Sequence, residues 1–269
     1  MEIKDVLGIQ PIGEAISTVT KGLVAGASAF LSRICLPAAE EYGFLLQDKV
    51  RAYRAANATQ IAVKAERKLA EEEGSEHLHA DPRLVGLILN HGSWIEADDI
   101  QEMWAGLLAS SCSEDGHDDS NLMFVDLLSR LTTSQARLLD YTCRAGGAMI
   151  TPAKLLVPSH GVVLNLEQLQ QVCGVADVHR IDRELDHLRS LDLIYAEGGF
   201  NTESNPATAD VTPTPLALQM FARLNGHIGN PLEFFGLTTA EQREPPSQGS
   251  VPRQRPTRRR QARRKRSTS

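Results

Sequence analysis

The chain has 269 residues, of which 42% are hydrophobic and 5% aromatic, and its formal net charge is −6 at pH 7. This hydrophobic fraction excludes a wholly disordered protein, and the length suits one large domain or two ordinary ones. Few aromatic residues and many Ala, Leu and Glu residues favour helices over a β-sandwich or barrel.

The net charge hides an acidic body and a basic tail. Of the 28 basic residues nine lie in 251–269, which leaves 19 against 34 acidic residues, or about −15, on residues 1–250. Such a tail cannot form a core, so we expect disorder. It is a candidate for non-specific nucleic acid first, and for an anionic membrane surface or the acidic body second. Its basic residues are Arg253, Arg255, Arg258, Arg259, Arg260, Arg263, Arg264, Lys265 and Arg266.

Cysteine spacing and the N-terminal sequence predict a cytoplasmic protein. The four cysteines form no Cys-x-x-Cys pair, which argues against a zinc framework or a disulfide-rich secreted domain. The N-terminus lacks the pattern of a signal peptide. The apolar stretch from Gly22 to Leu36 is too short to span a bilayer, so we expect a bundle helix, with membrane-surface contact as the alternative.

Residues 1–75 are predicted to form the N-terminal helices. Helical spacing runs from Ile12 to about Leu69, and a boundary is expected just before Pro37, because proline removes a backbone donor and clashes with the preceding turn. The last of these helices is expected to expose a largely polar surface, which carries Ile61, Lys64, Ala65 and Lys68.

Residues 76–130 are predicted to form an acidic helical core segment. Asp81 precedes Pro82, which is typical of an N-cap acceptor before a proline at the first helical position. No Lys or Arg occurs from Leu84 to Ser129, so this segment should repel nucleic acid and favour a basic partner. The next helix should bury an apolar stripe of Ile100, Met103, Trp104, Leu107 and Leu108.

Several patterns have some features of a metal or catalytic site but lack the rest. The loop from Glu114 to Asp119 holds four carboxylates and His117, but not in the order of an EF-hand. His77 and His79 lack a third ligand nearby in the sequence. No nucleophile elbow, phosphate-binding loop or zinc-protease motif is present. We therefore expect no metal, no cofactor and no catalytic residue, although motifs alone do not test a site built from distant residues.

Residues 131–228 are predicted to form a winged-helix-like α+β module, followed by a disordered tail over 229–269 that is basic from 253. Thr132 and Gln135 have the spacing of a capping box. The overall expectation is a mainly α protein, a helical bundle followed by this module. Its further elements are a helix over 166–172, a helix from Asp177, and two wing strands within 190–195 and 211–216.

The helix that starts near Asp177 would be the recognition helix of a DNA-binding protein, and Arg180, Arg183 and His187 would read the bases. Between Asp177 and Asp192, however, five acids outnumber three arginines, whereas a groove-reading helix is usually net basic. We therefore expect packing or protein contacts, with local ion pairs. A winged-helix transcriptional regulator remains the alternative.

Three segments resemble the abortive-infection alpha family of bacterial phage-resistance proteins: IQEMWAGLLAS at 100–110, FVDLLSRL at 124–131 and QARLL at 135–139. The resemblance covers about residues 10–225. It implies a role in phage defence and carries no catalytic signature, so we expect a protein partner or self-association. The residues that carry the motif are Trp104, Leu107, Leu108 and Phe124, whereas Trp94 and Trp104 are both expected in the core or an interface.

Overall fold

The computed structural model describes residues 18–37, 49–71, 75–201, 203 and 207–237. The chain is mainly helical with small antiparallel sheets, as the composition predicts. None of the helices within these ranges is long and apolar enough to cross a membrane.

Within the described residues, five helices come before residue 131. Helix α1 ends at Ile34, three residues before Pro37, which confirms the predicted boundary. Asp81 caps the third helix by accepting hydrogen bonds from the backbone of Arg83 and Leu84, as its position before Pro82 predicts. The helices are α1 (Thr18–Ile34), α2 (Lys49–Leu69), α3 (Pro82–Gly92), α4 (Asp98–Ala109) and α5 (Leu122–Arg130).

Helix α2 packs against α1 and α4, and its predicted polar surface is wrong. Ile61 and Ala65 are fully buried, and Lys64 is 8% exposed. Alanines along the helix allow close approach of its neighbours. Lys64 reaches out of this packed surface, and its Nζ lies 2.6 Å from Oδ1 of Asp98 at the start of α4.

A short two-stranded ladder joins the segment before α3 to the segment after α4. Strand β1 (His79–Ala80) follows a 3₁₀ turn at Ser75–His77 and pairs antiparallel with β2 (Cys112–Ser113). Because β1 directly precedes α3 and β2 follows α4, the pairing brings the loop after β2 to the N-terminal end of α3.

From residue 131 to residue 237, the described part of the chain has five more helices and five strands. Strand β5 pairs with β7, and β7 pairs with β6, so one antiparallel sheet has the order β5-β7-β6. Strands β3 and β4 form a separate hairpin. The helices are α6 (Thr133–Gly146), α7 (Leu166–Cys173), α8 (Val178–Ser190), α9 (Pro215–Leu224) and α10 (Pro231–Phe234). The strands are β3 (Met149–Ile150), β4 (Leu156–Val157), β5 (Val163–Asn165), β6 (Gly199–Asn201) and β7 (Thr208–Asp210).

The wing strands do not lie where the sequence placed them. Residues 190–195 contain the end of α8 and a turn, with a positive φ of 57° at Asp192, and only Ile194 forms a β-bridge, to Pro213. The second predicted strand is also displaced, because β7 ends at Asp210. Short apolar runs resemble strands, but Leu193 and Ile194 are apolar because they are buried in the core.

One hydrophobic core contains residues of the helices from α1 to α9. Its central close approach is at Gly106 in α4, where a Cβ atom would come within 1.8 Å of the backbone oxygen of Leu224 in α9. Only glycine permits this contact. The core therefore joins the helices before residue 131 to the module that follows.

Candidate functional site

The start of α6 and the inner side of α8 share a polar cluster of Thr132, Ser134, Gln135, Glu184 and His187, here called the α6–α8 cluster. Glu184 is 8% exposed, and its carboxylate accepts hydrogen bonds from the hydroxyls of Thr132 (2.6 Å) and Ser134 (3.0 Å). Gln135 Nε2 donates to the backbone oxygen of Glu184 (3.0 Å) and lies 2.9 Å from His187 Nδ1. A buried carboxylate needs such partners, so the cluster fixes α8 to α6.

Of the three predicted base-reading residues, Arg180 is exposed on α8 and His187 is half-buried. The Nε atom of Arg180 lies 3.3 Å from Oε1 of Glu184. His187 contacts Gln135 within the α6–α8 cluster. Arg183 is exposed.

The outer side of α8 carries both signs of charge. Asp182 and Asp186 are exposed beside Arg183. Arg189 pairs with Asp186 and donates a hydrogen bond to the backbone oxygen of Gly198, at 2.7 Å, before β6. Acids at these positions would repel phosphates, so the described geometry does not favour the DNA-binding alternative.

The residues that carry the family resemblance are all in the core. Trp104 is 2% exposed, and its ring stacks on His91 with the centroids 6.0 Å apart. Leu107, Leu108 and Phe124 are buried as well. The motif therefore describes how α4 and α5 pack into the core. Of the charged residues of α4, Asp98 and Asp99 are exposed.

Trp94, in contrast, is 53% exposed. The Arg54 guanidinium of α2 lies 4.5 Å from the centroid of its ring, a cation–π geometry. Nothing in the sequence marked Arg54, because the two residues are 40 positions apart and meet only when α2 packs beside the end of α3.

A cleft of about 250 Å³ lies between α2, α4, α6 and α9, and ion pairs form much of its wall. Asp99 in α4 pairs with Arg137 in α6 at 2.5 Å, whereas Asp140 and Arg144 pair within α6 at 2.8 Å. The lining residues are Lys68, Asp99, Glu102, Met103, Arg137, Asp140, Arg144, Leu224 and Asn225.

These ion pairs change the acidity of two carboxyl groups in α4. The hydrogen bond from Arg137 lowers the pKa of Asp99. Burial opposes ionisation of Glu102, but its bonds to Lys68 (3.1 Å) and Arg67 (2.7 Å) outweigh burial and lower the pKa below its ordinary value. Both carboxyl groups are therefore ionised at neutral pH, and each forms ion pairs that join α4 to a neighbouring helix.

Of the remaining predicted site residues, the structure describes the two histidines and the loop from Glu114 to Asp119, but not the basic tail. Within residues 18–37, 49–71, 75–201, 203 and 207–237, no group of three or more His, Cys, Asp or Glu side chains could hold a metal ion. His79 instead lies 3.3 Å from the backbone oxygen of Arg33. The nine basic residues of the tail lie outside the described residues, so their predicted contact with nucleic acid remains a prediction.

The fold and these surfaces define a mainly helical protein whose helices are joined by ion pairs and buried polar contacts. The chain belongs to the abortive infection alpha family: the family model matches residues 52–218, from α2 into α9. The predicted resemblance is confirmed, and the match is shorter than the 10–225 expected because it leaves out α1. No curated protein and no solved structure matches the chain.

Proposed function

We propose that this chain acts in abortive-infection defence against phage, without enzymatic chemistry, through contacts with a partner protein or further copies of itself. The family match over residues 52–218 carries the proposal, since it includes the Trp104 helix and all of α8. The absence of enzymatic chemistry is supported by the polar side chains of α4, α6 and α8, since those described above form contacts between helices.

We infer that residues 131–228 form a winged helix used for protein contact. Apart from the β3–β4 hairpin inserted after α6, the order α6, β5, α7, α8, β6, β7 and the sheet order β5-β7-β6 are typical of this fold. Helix α8 then takes the place of the recognition helix. Its mixed charges, the ion pair of Arg180 with Glu184 and the contact of His187 with Gln135 support a protein partner over DNA.

The four cysteines are all buried, which does not favour them as nucleophiles. Burial raises the pKa of the Cys112 thiol to about 12 and that of Cys173 to about 11. Reactive cysteines have a lowered pKa and partial exposure. These two thiols are therefore suited to packing.

We propose cytoplasmic action and a second, non-specific contact through the tail. Nine positive charges within residues 251–269 suit a polyanion, and nucleic acid is favoured over a membrane because 258–266 lacks bulky apolar residues that insert into lipid. Deleting 251–269 should weaken binding to single-stranded and duplex DNA alike and flatten its salt dependence. Binding that is unchanged by the deletion would contradict this role.

Phage plating tests the defence role. Cells that express the chain, matched cells with an empty vector and cells that express a Trp104→Asp core variant are infected with a broad phage panel. We expect fewer plaques only with the intact chain, together with death of infected cells at high multiplicity. Equal plaque counts across the panel would reject the proposal.

A further inference from the structure

The half-buried Arg54 and the exposed Trp94 form a surface patch, here called the Arg54–Trp94 patch. Arg54 Nε donates to Ser93 Oγ (3.0 Å), and its Nη2 donates to Asn90 Oδ1 (2.8 Å). Trp94 remains 53% exposed below this guanidinium. Because hydrogen bonds and stacking already hold both side chains, binding a partner would cost little conformational entropy.

This patch has the composition of an interaction surface. Trp and Arg are the residues most enriched among those that dominate binding energy at interfaces. Within the part of the chain that the structure describes, no carboxylate pairs with Arg54. The patch therefore offers a positive charge beside an aromatic ring, which suits an acidic partner.

The chain carries such a partner in the loop after β2, here called the acidic loop (114–119). Glu114, Asp115, Asp118 and Asp119 are exposed there. The loop lies at the N-terminal end of α3, where Gly116 packs against His79. Trp94 follows the C-terminal end of the same helix, which is about 16 Å long at 1.5 Å per residue. The two surfaces of one copy therefore face opposite ends of α3.

We propose that the Arg54–Trp94 patch of one copy binds the acidic loop of a second copy, head to tail. This inference rests on the self-association included in the proposed function and names its surfaces. Because the two surfaces differ, the contact is heterologous, and repeating it builds a ring or a filament. Opposite charges bring the copies together, and burial of the Trp94 ring supplies the short-range energy.

Light scattering of the purified full-length chain tests the contact. We expect a mass above the monomer value of 29.4 kDa, which falls as salt is raised. Trp94→Ala should weaken association about thirtyfold or more, as for other dominant interface residues. Asp118→Lys/Asp119→Lys should abolish it. Leu155→Ala, at a more exposed apolar residue, and Asp182→Lys, on α8, are matched controls that should leave association unchanged.

A charge exchange provides the decisive measurement. Arg54→Glu alone and Asp118→Lys/Asp119→Lys alone should each be monomeric. Their mixture should associate again, because each variant keeps the surface that the other has lost and the two altered surfaces carry opposite charges. A monomeric wild-type chain overturns the inference, as does association that neither Trp94→Ala nor the loop variant weakens. If the contact is overturned but the wild-type chain still reduces plaques, the defence role stands. If the chain associates as proposed but does not reduce plaques, the contact is supported and the defence role is rejected.

Discussion

The two tryptophans show how far one residue type can differ in role within a single chain. Trp104 is buried and stacked on His91, and its place follows from helical spacing along α4. Trp94 follows α3 and is exposed beside Arg54. The first contributes to folding through buried apolar area, and the second contributes to the surface available to a partner.

Truncating each tryptophan should therefore have unequal effects on stability. Trp104→Ala should lower the free energy of unfolding by about 3–5 kcal/mol, because it leaves a cavity in the core. Trp94→Ala should lower it by less than about 1 kcal/mol, the size of an exposed cation–π contact. Urea denaturation followed by circular dichroism measures both, and equal losses would contradict the assigned burial.

At the scale of elements, capping explains where several helices begin. Thr132 and Gln135 form a capping box at α6, as the sequence predicts, and Asn165 and Gln168 form another at α7. Only the first also serves a tertiary contact, because the Thr132 hydroxyl donates to Glu184 at 2.6 Å.

Removing the two caps should separate these contributions. Asn165→Ala should cost about 1 kcal/mol, the usual value of an N-cap. Thr132→Ala should lower the free energy of unfolding by the same amount, about 1 kcal/mol, for the lost cap. It should lower it by about 1–3 kcal/mol more, because a buried oxygen of Glu184 loses its hydrogen-bond donor. Thr132→Ser is the matched control and should remain close to wild type. Thermal melts that show equal losses for the two alanine variants would mean that the bond to Glu184 contributes nothing.

Ion pairs join α4 to both of its flanking helices. Lys68 and Arg67 of α2 bind Glu102, and Arg137 of α6 binds Asp99. Since the pKa of Glu102 is lowered in the folded chain, its ionised form stabilises the fold above its unfolded pKa of about 4.3. This contribution is lost as the pH falls through the lowered folded value.

Glu102→Gln should therefore lower the melting temperature at pH 7, and the difference from wild type should shrink below about pH 4. Glu96→Gln, at an exposed acid before the same helix, should change little at either pH. Calorimetry at pH 7 and pH 3 gives the comparison. A deficit of the same size at both pH values would show that Glu102 acts through packing.

At the scale of the whole molecule, the contact of α4 with α9 unites the two halves. Gly106 lets the backbone of α4 approach the end of α9 at Leu224. The family motif around Trp104 and the module after residue 131 therefore share one core, although the sequence predicts segment boundaries at 75, 130 and 228. Those divisions remain a prediction.

A methyl group at this contact should disturb the junction. Gly106→Ala should destabilise the chain by about 1–3 kcal/mol or more, because backbone must move to relieve the overlap. Gly86→Ala in α3, where nothing lies within 4 Å of the added Cβ, should stabilise it by about 0.5–1 kcal/mol. Unfolding free energies from urea titrations measure both changes. A neutral Gly106→Ala would contradict the close approach.

Local patterns predicted much of the helical framework. Caps, proline positions and apolar spacing indicated α3, α4, α6, α7 and α8, since each depends on residues within a few turns. Strands were predicted less well, because β5, β6 and β7 are three residues each and are stabilised by partners distant in the sequence. The apolar pair Leu193 and Ile194 resembles a strand in the sequence because buried residues are apolar in strands and turns alike.

By itself the sequence determined the mainly helical class, the family, the acidic body and the basic tail, because composition, charge and helical period are properties of neighbouring residues. Only the tertiary structure decided that Lys64 and Ile61 are buried, that Glu184 holds α8 to α6, and that Trp94 is exposed beside Arg54. Each of these depends on which helices pack together, and packing is set by contacts between residues more than 30 positions apart.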